Sequence, residues 1–390
     1  MVRDRLVRLL DSLEEGQILI HDGDLHQTFG RSLTDLQTAD LVIHDPAFYQ
    51  HVALGGGLGF AESYLQGQWS TDDLTGLLRV FARNVDQLGS FEGLSTRLFR
   101  KVASVQHALS RNSLLGSRRN IASHYDLSNQ FFETFLDPTM MYSSAMFDAP
   151  EMSLEQASAT KLETICRKLD LCPNDHVLEI GTGWGGFAIY AARNFGCRVT
   201  TTTISQQQYE YANERVHREG LSDRITVMRD DYRDLHGSFD KLVSIEMLEA
   251  VGHQYYDTFF QQCNNLIVPG GRIVLQTITI PEQRYERYLR SVDFIQKYIF
   301  PGGCLPSLAA VQTAVGRTTR LRLVAHEDFG HSYARTLNEW RRQFLGRLED
   351  VRNLGFDDRF IRMWDYYLAY CEAAFLERAV GVAQLTWIKN

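Results

Sequence analysis

The chain has 390 residues, 44% of them hydrophobic and 23% charged, with a net charge of −8. That length allows a large buried core and two domains, while the acidic balance argues against a general nucleic-acid binder, whose surface would be basic. The six cysteines, Cys166, Cys172, Cys197, Cys263, Cys304 and Cys371, form no C-x-x-C pair, which argues against a zinc ribbon or redox dithiol and for reduced thiols, with no metal expected.

Residues 1–15 place Leu6, Leu9, Leu10 and Leu13 at helical spacing. Strand-like pieces follow at Gly16–Ile20 and Asp40–Ile43, with a turn signal at Asp22-Gly23. The run Gly55-Gly56-Gly57, with Gly59, marks a tight bend or a close backbone approach. These pieces read as a small α+β accessory domain over 1–110. Residues 79–119 carry eight basic side chains, among them Arg97, Arg100 and Lys101, against Asp86 and Glu92, a net +6. With Leu94, Leu98, Val102 and Val105 on one face, the stretch reads either as a solvated linker helix or as a basic amphipathic helix able to lie on an anionic bilayer.

From Asp175 onward strand and helix patterns alternate. Strands are expected at His176–Ile180, Cys197–Ile204, Arg224–Arg229 and Phe239–Ile245, and at Arg272–Ile280 after a Pro269-Gly270-Gly271 turn. Helices are expected at Gly185–Phe195, Gln206–Glu219 and Gln254–Leu266. Such βαβ alternation predicts a mostly parallel, doubly wound sheet in a second domain over 111–390. Residues 383–388 add a last strand beside Leu321–Ala325, after a largely helical insertion at about 282–318.

The strongest local signal is HVLEIGTGWGGF over 176–187. A strand ending in an acid, Glu179, runs into Gly181, Gly183, Gly185 and Gly186, which let the backbone turn and a ligand come close. A glycine-rich turn alone is weak evidence, because dinucleotide enzymes use similar ones. The acid before the glycines and the spacing favour S-adenosylmethionine (SAM) over NAD. The second strand ends Thr203-Ile204-Ser205 before Gln206-Gln207-Gln208, a helix start capped by Ser205.

Seven strings carry a wider resemblance: NIASHYDLSNQFFETFLDPTMMYSSAMF (120–147), LEIGTGWGGF (178–187), TISQQQYEYA (203–212), IEMLEAVG (245–252), LQTITI (275–280), IFPGGCLPS (299–307) and HSYARTLNEW (331–340). In order and spacing the chain resembles the cyclopropane-fatty-acid synthase and mycolic-acid methyltransferase family over roughly 40–390. The resemblance implies an α/β, class I methyltransferase (Rossmann-like) fold, with a seven-stranded sheet and the smaller N-terminal domain. It implies that Tyr142, Ser143, Gly181 and Gly183 lie by the methionine part of SAM, Thr203, Ile204 and Gln208 by the ribose, and Asp231 and Tyr232 by the adenine. The residue-level alternatives stay open: Tyr142 as core, Asp231 as a strand-end cap, Glu249 as a helix-start acid.

The activity so implied is C-methylation of the double bond of an unsaturated fatty acyl chain of a phospholipid, giving a cyclopropane, or a methylene if a hydride shifts before proton loss. Alkene attack on a sulfonium methyl leaves a cation, so the site must exclude water and remove a proton. Aromatic side chains such as Phe131, Phe132, Phe135, Tyr142, Phe147, Phe294, Tyr298, Phe300, Tyr366, Tyr367 and Tyr370 could line such a site or simply be core. In the family a glutamate, a histidine and a tyrosine hold a bicarbonate that acts as base. The matching glutamate is Glu249 and the tyrosine Tyr333, with Ile278 offering a backbone group. The family histidine is Gln276 here, its cysteine is Ser144, and the histidine after the glutamate is Ala250. Gln276 can hydrogen-bond an anion but cannot titrate. Bicarbonate is therefore not carried over firmly, and Glu249 is expected to act directly or through water, with Tyr333 as partner.

No run of ~18 apolar residues is present and the first residues lack an apolar signal core, so the expectation is a cytoplasmic protein, peripheral at the inner membrane face, with an anionic surface and a homodimer as family-level partners. Rival readings are a small-molecule methyltransferase, a non-catalytic lipid-binding homologue and an NAD dehydrogenase.

Overall fold

A computed structural model describes residues 2–33, 35–85 and 127–390. The described residues form two compact units. The first holds those up to 85 together with 288–299 and 337–379; the second holds 127–287, 300–336 and 380–390. Arg97, Arg100, Lys101 and the start of the 120–147 string lie outside the described residues.

In the first unit, strands β1 (Gly16–Asp22), β2 (Leu25–Arg31), β3 (Ala39–Ile43) and β4 (Trp69–Ser70) form one sheet in the order β2-β1-β3-β4. The β1–β2 hairpin turns at Gly23, whose φ of 59° suits glycine. The glycine run lies within a helix, Ala47–Leu65, which kinks at Gly56 (φ 57°, ψ −135°). A Cβ on Gly59 would sit 2.0 Å from the His51 carbonyl oxygen, so the expected close approach is made across that kink.

The boundary expected near residue 110 is too simple. The helix Asp358–Leu376, from the far end of the chain, packs on the helix Leu74–Arg83. Thr75 donates to Glu372 (2.9 Å), Tyr64 to Asp365 (2.7 Å), and Arg79 and Arg83 both pair with Glu377. Carboxylates buried to this degree need such partners, and they come from residues about 300 positions away. The helical insertion is divided too, since 288–299 belongs to the first unit and its flanks to the second.

The second unit is built on β5 (His176–Ile180), β6 (Arg198–Thr202), β7 (Ile225–Met228), β8 (Phe239–Ile245), β9 (Ile267–Thr279), β10 (Leu321–Asp328) and β11 (Gly381–Lys389). Their order is β10-β11-β9-β8-β5-β6-β7, with β11 antiparallel to both neighbours and the other pairs parallel. Pro269-Gly270-Gly271 is a bulge inside β9 rather than a turn before it: pairing jumps from Phe239–Ile267 to Lys241–Arg272. Alternate strand residues serve opposite faces. Leu178, Leu242 and Ile273 join one core with Phe259, Phe260 and Val311, while Val177, Val243 and Val274 join the other with Leu162, Phe187 and Ala188. Each large side chain so buried contributes about 1.5–3 kcal/mol. Strand order reverses between β5 and β8, the place where doubly wound sheets open a ligand crevice beyond their carboxyl ends.

Candidate active site

The glycine loop opens that crevice. Gly181 (φ 103°), Gly183 (φ 52°) and Gly185 (φ 85°) are all left-handed, and the helix Gly186–Phe195 begins directly after them. A Cβ on Gly183 would meet nothing within 4 Å, whereas one on Gly186 would come 2.5 Å from Met141 Sδ. The loop is thus a backbone cradle at a helix N-terminus, open on one side and tightly backed on the other. Glu179 does not reach into it. It is buried, accepts a hydrogen bond from Thr201 Oγ1 (2.6 Å), and burial pushes its carboxyl up to about 8.

The segment 142–144 runs beside the end of the sheet. The Tyr142 ring packs on Phe132, Phe135 and Phe300, with centroids 5.3, 6.2 and 6.3 Å away. The buried Ser143 hydroxyl accepts from Lys161 Nζ at 2.7 Å. Lys161 is wholly buried, and desolvation pulls its ammonium down to about 8 despite the nearby Glu246, Asp137 and Glu179. Thr203 Oγ1 donates to Gln208 Oε1 (2.9 Å), with Ile204 between them in sequence and half-buried, and Ser205 caps the helix as expected. Asp231 caps a short helical turn and pairs with Arg233 through both oxygens (2.7 and 2.6 Å), while Tyr232 packs on Phe259.

Two carboxylates lie just past β8. Glu249 Oε1 accepts from the Ile278 amide (2.5 Å) and from Thr277 Oγ1 (3.0 Å). Its Oε2 is sealed from solvent and has no hydrogen-bond partner among the described residues. Burial first, then the neighbouring Glu246 charge, push the Glu249 carboxyl up to about 8. A buried oxygen without a donor, on a carboxyl that titrates near neutrality, is what a proton acceptor needs.

The partner expected for Glu249 goes elsewhere. Tyr333 donates its hydroxyl to Glu246 Oε2 at 2.6 Å. Glu246 Oε1 accepts from the Ser144 amide (2.9 Å) and from Gln276 Nε2 (2.8 Å). The Ser144 hydroxyl turns to the Ala145 carbonyl, and Gln276 Oε1 accepts from Gln384 Nε2. Tyr333, Gln276 and Ser144 therefore do converge, but on an acid that sequence reasoning passed over. Glu246 has φ 50°, a left-handed conformation that costs a non-glycine residue on the order of 1 kcal/mol or more. The segment after β8 adjoins the loop: a Cβ on Gly181 would lie 3.3 Å from Met247 Cγ.

The aromatic residues divide between the two units. Phe131, Phe132, Phe135 and Phe147 are buried in the second, while Phe294 packs on Tyr298, Tyr366 and Tyr370 in the first. Tyr367 packs on Trp364, also in the first.

Residues 113–385 match the family model described as mycolic acid cyclopropane synthetase. The chain is 40% identical over 365 residues to the tuberculostearic acid methyltransferase UfaA1 of Mycobacterium tuberculosis, spanning 91% of this chain and 84% of that protein. It is 36% identical over 363 residues to the cyclopropane-fatty-acyl-phospholipid synthase of Escherichia coli, spanning 93% and 91%. Among solved structures, mycolic acid cyclopropane synthase CmaA1 complexed with SAH and CTAB matches with a TM-score of 0.66 and 29% identity, over 70% of this chain and 98% of that one.

Proposed function

The chain belongs to the mycolic acid cyclopropane synthetase family and is a SAM-dependent methyltransferase of class I fold, and from that premise we propose that it methylates a double-bond carbon of an unsaturated fatty acyl chain carried on a phospholipid. The observation that carries this is the unpartnered Glu249 Oε2, sealed from solvent two residues past Met247, which backs Gly181 of the glycine cradle.

The chain's own groups suit the cofactor. The left-handed glycines leave room for a ligand's backbone-like portion; the Thr203–Gln208 pair follows β6, the Asp231–Tyr232 turn follows β7, and Tyr142 adjoins Met141, which backs the loop at Gly186. When bound, SAM supplies an electrophilic methyl group. Glu249 takes up the proton that the methylated cation must lose. The Tyr142 and Phe300 rings keep water away and offer π faces to positive charge. Ile278 and Thr277 hold the Glu249 carboxyl in place.

The product we assign is the open-chain methylene, a precursor of methyl branching. It is supported by the 40% identical relative named as a methyltransferase and by Gln276, Ser144 and Ala250 at positions where the resemblance places other residues. The 36% identical E. coli relative favours a second reading, the cyclopropane. Expression in a bacterium lacking its own cyclopropane synthase, followed by gas chromatography–mass spectrometry of total fatty acids, separates them. A new acid heavier by one CH2 that mild hydrogenation reduces identifies the methylene; one that resists it identifies the ring. No new acid from a soluble, SAM-binding protein would overturn the acyl substrate.

No helix among the described residues is long and apolar enough to cross a membrane. The acyl chain is reached, in this proposal, from an anionic bilayer surface through the basic stretch 79–119. Replacing Arg97, Arg100 and Lys101 by glutamine should weaken binding to anionic vesicles by roughly a hundredfold at low salt, at about 1 kcal/mol per charge, and leave SAM affinity unchanged. Salt-insensitive, undiminished vesicle sedimentation would refute the docking role.

A further inference from the structure

The positions that the resemblance assigns to bicarbonate do not fit it. The Ser144 amide, Gln276 Nε2 and the Tyr333 hydroxyl would have to turn their hydrogen bonds toward the anion, and all three already donate to Glu246. Both Glu246 oxygens are engaged, so the group held there is a carboxylate of the chain itself. Its placement has a conformational cost, because Glu246 sits at φ 50°, where glycine would be unstrained. A side chain kept at such a backbone position, with its carboxylate fastened at both oxygens, points to use of the carboxylate rather than to filling of space. The buried Lys161 offsets part of its charge.

We infer that the Glu246 carboxylate is the permanent occupant of this anion pocket, replacing bicarbonate, so that the enzyme neither binds nor needs it. This rests on the methyltransferase reading above. Glu246 is a positioning residue. It fixes Tyr333 and Gln276 around the crevice, and it holds a negative charge beside Glu249 that favours the cation formed on the substrate and makes Glu249 a stronger base. The proton itself goes to Glu249, whose Oε2 is open, while Glu246 stays ionised.

The test compares wild type with Glu246→Gly, a substitution that the local backbone favours and that empties the pocket. Binding is read from line broadening of 13C-labelled bicarbonate in NMR, which needs no turnover and so stands apart from the identity of the lipid. Wild type should show no saturable broadening, and the variant should show it. In turnover, wild type should keep its rate in bicarbonate-depleted buffer. The variant should lose about 10–100-fold, regain much of it with millimolar bicarbonate or formate, and shift the acidic limb of its pH profile downward as Glu249 loses its negative neighbour. Saturable bicarbonate binding by wild type, or a wild-type rate that falls on bicarbonate removal, would overturn the proposal. A variant that retains full activity and an unmoved pH limb without added anion would do so as well. A wild type inactive on every unsaturated lipid yet silent toward bicarbonate would instead count against the substrate reading and leave the filled pocket standing.

Discussion

Glu249→Gln is expected to lower kcat by about 10³-fold or more while SAM affinity stays within about twofold, because a positioned base contributes on the order of 10²–10⁴ and no solvent can replace it in a sealed site. The substitution is nearly isosteric. Its amide oxygen can still accept from the Ile278 amide and Thr277 Oγ1, so what it removes is the basic Oε2. In wild type, kcat/KM should rise with pH along a limb near 8 as Glu249 ionises, then level off. Stability should run the other way. A carboxyl raised to about 8 in the folded chain, from an ordinary value of 4.5, binds its proton more tightly folded than unfolded. Its contribution is full below 4.5 and is lost as pH climbs to about 8. Wild type and Glu249→Gln should therefore melt alike near pH 5, and the variant should be the more stable near pH 8, by on the order of a few kcal/mol. Retained turnover, or a variant no more stable than wild type at pH 8, would remove Glu249 from the role.

The sheet was readable ahead of the structure because its strands are short apolar or β-branched runs closed by glycine or polar turns. β5 and β8 have the expected ends, and β11 pairs with β10 as the C-terminal pattern implied. The readout failed where partners are distant in sequence. Nothing local in 358–377 says that its acids will pair with Thr75, Arg79 and Arg83. In the site, the string IEMLEAVG directed attention to its second glutamate, and Glu246 was passed over because its importance depends on a left-handed backbone and on donors from three other segments. Lys161 did carry a signal. In the helix Leu154–Leu169 it falls on the stripe of Leu154, Ala157, Ser158, Leu162 and Ile165, all buried, where a lysine is out of place unless something polar awaits it.

Lys161→Met follows from that position. The ammonium acts on both Glu179 and Glu246, and it also feels Asp137. Methionine fills the same volume without charge, so packing with its helix neighbours is kept and the loss is electrostatic. Removing one member of a buried charge cluster costs roughly 3–5 kcal/mol, because the carboxylates left behind have no counter-ion. For a unit of this size that is a fall in melting temperature on the order of 10 °C. The dependence on pH separates this from a packing defect. Without Lys161, the Glu179 and Glu246 carboxyls are raised still further than burial already raises them, so the deficit should be small near pH 5, where Glu179 is protonated, and grow toward pH 8 as Glu179 ionises. Above about 8 it should stop growing, since desolvation already makes the wild-type lysine shed its own proton there. The Ser143 hydroxyl loses its donor in the same variant, which shifts the segment carrying Tyr142 and Ser144 and should weaken SAM binding as well as folding. A melting deficit equal at pH 5 and pH 8 would mean that Lys161 serves packing alone, and that the charge balance of the crevice is set without it.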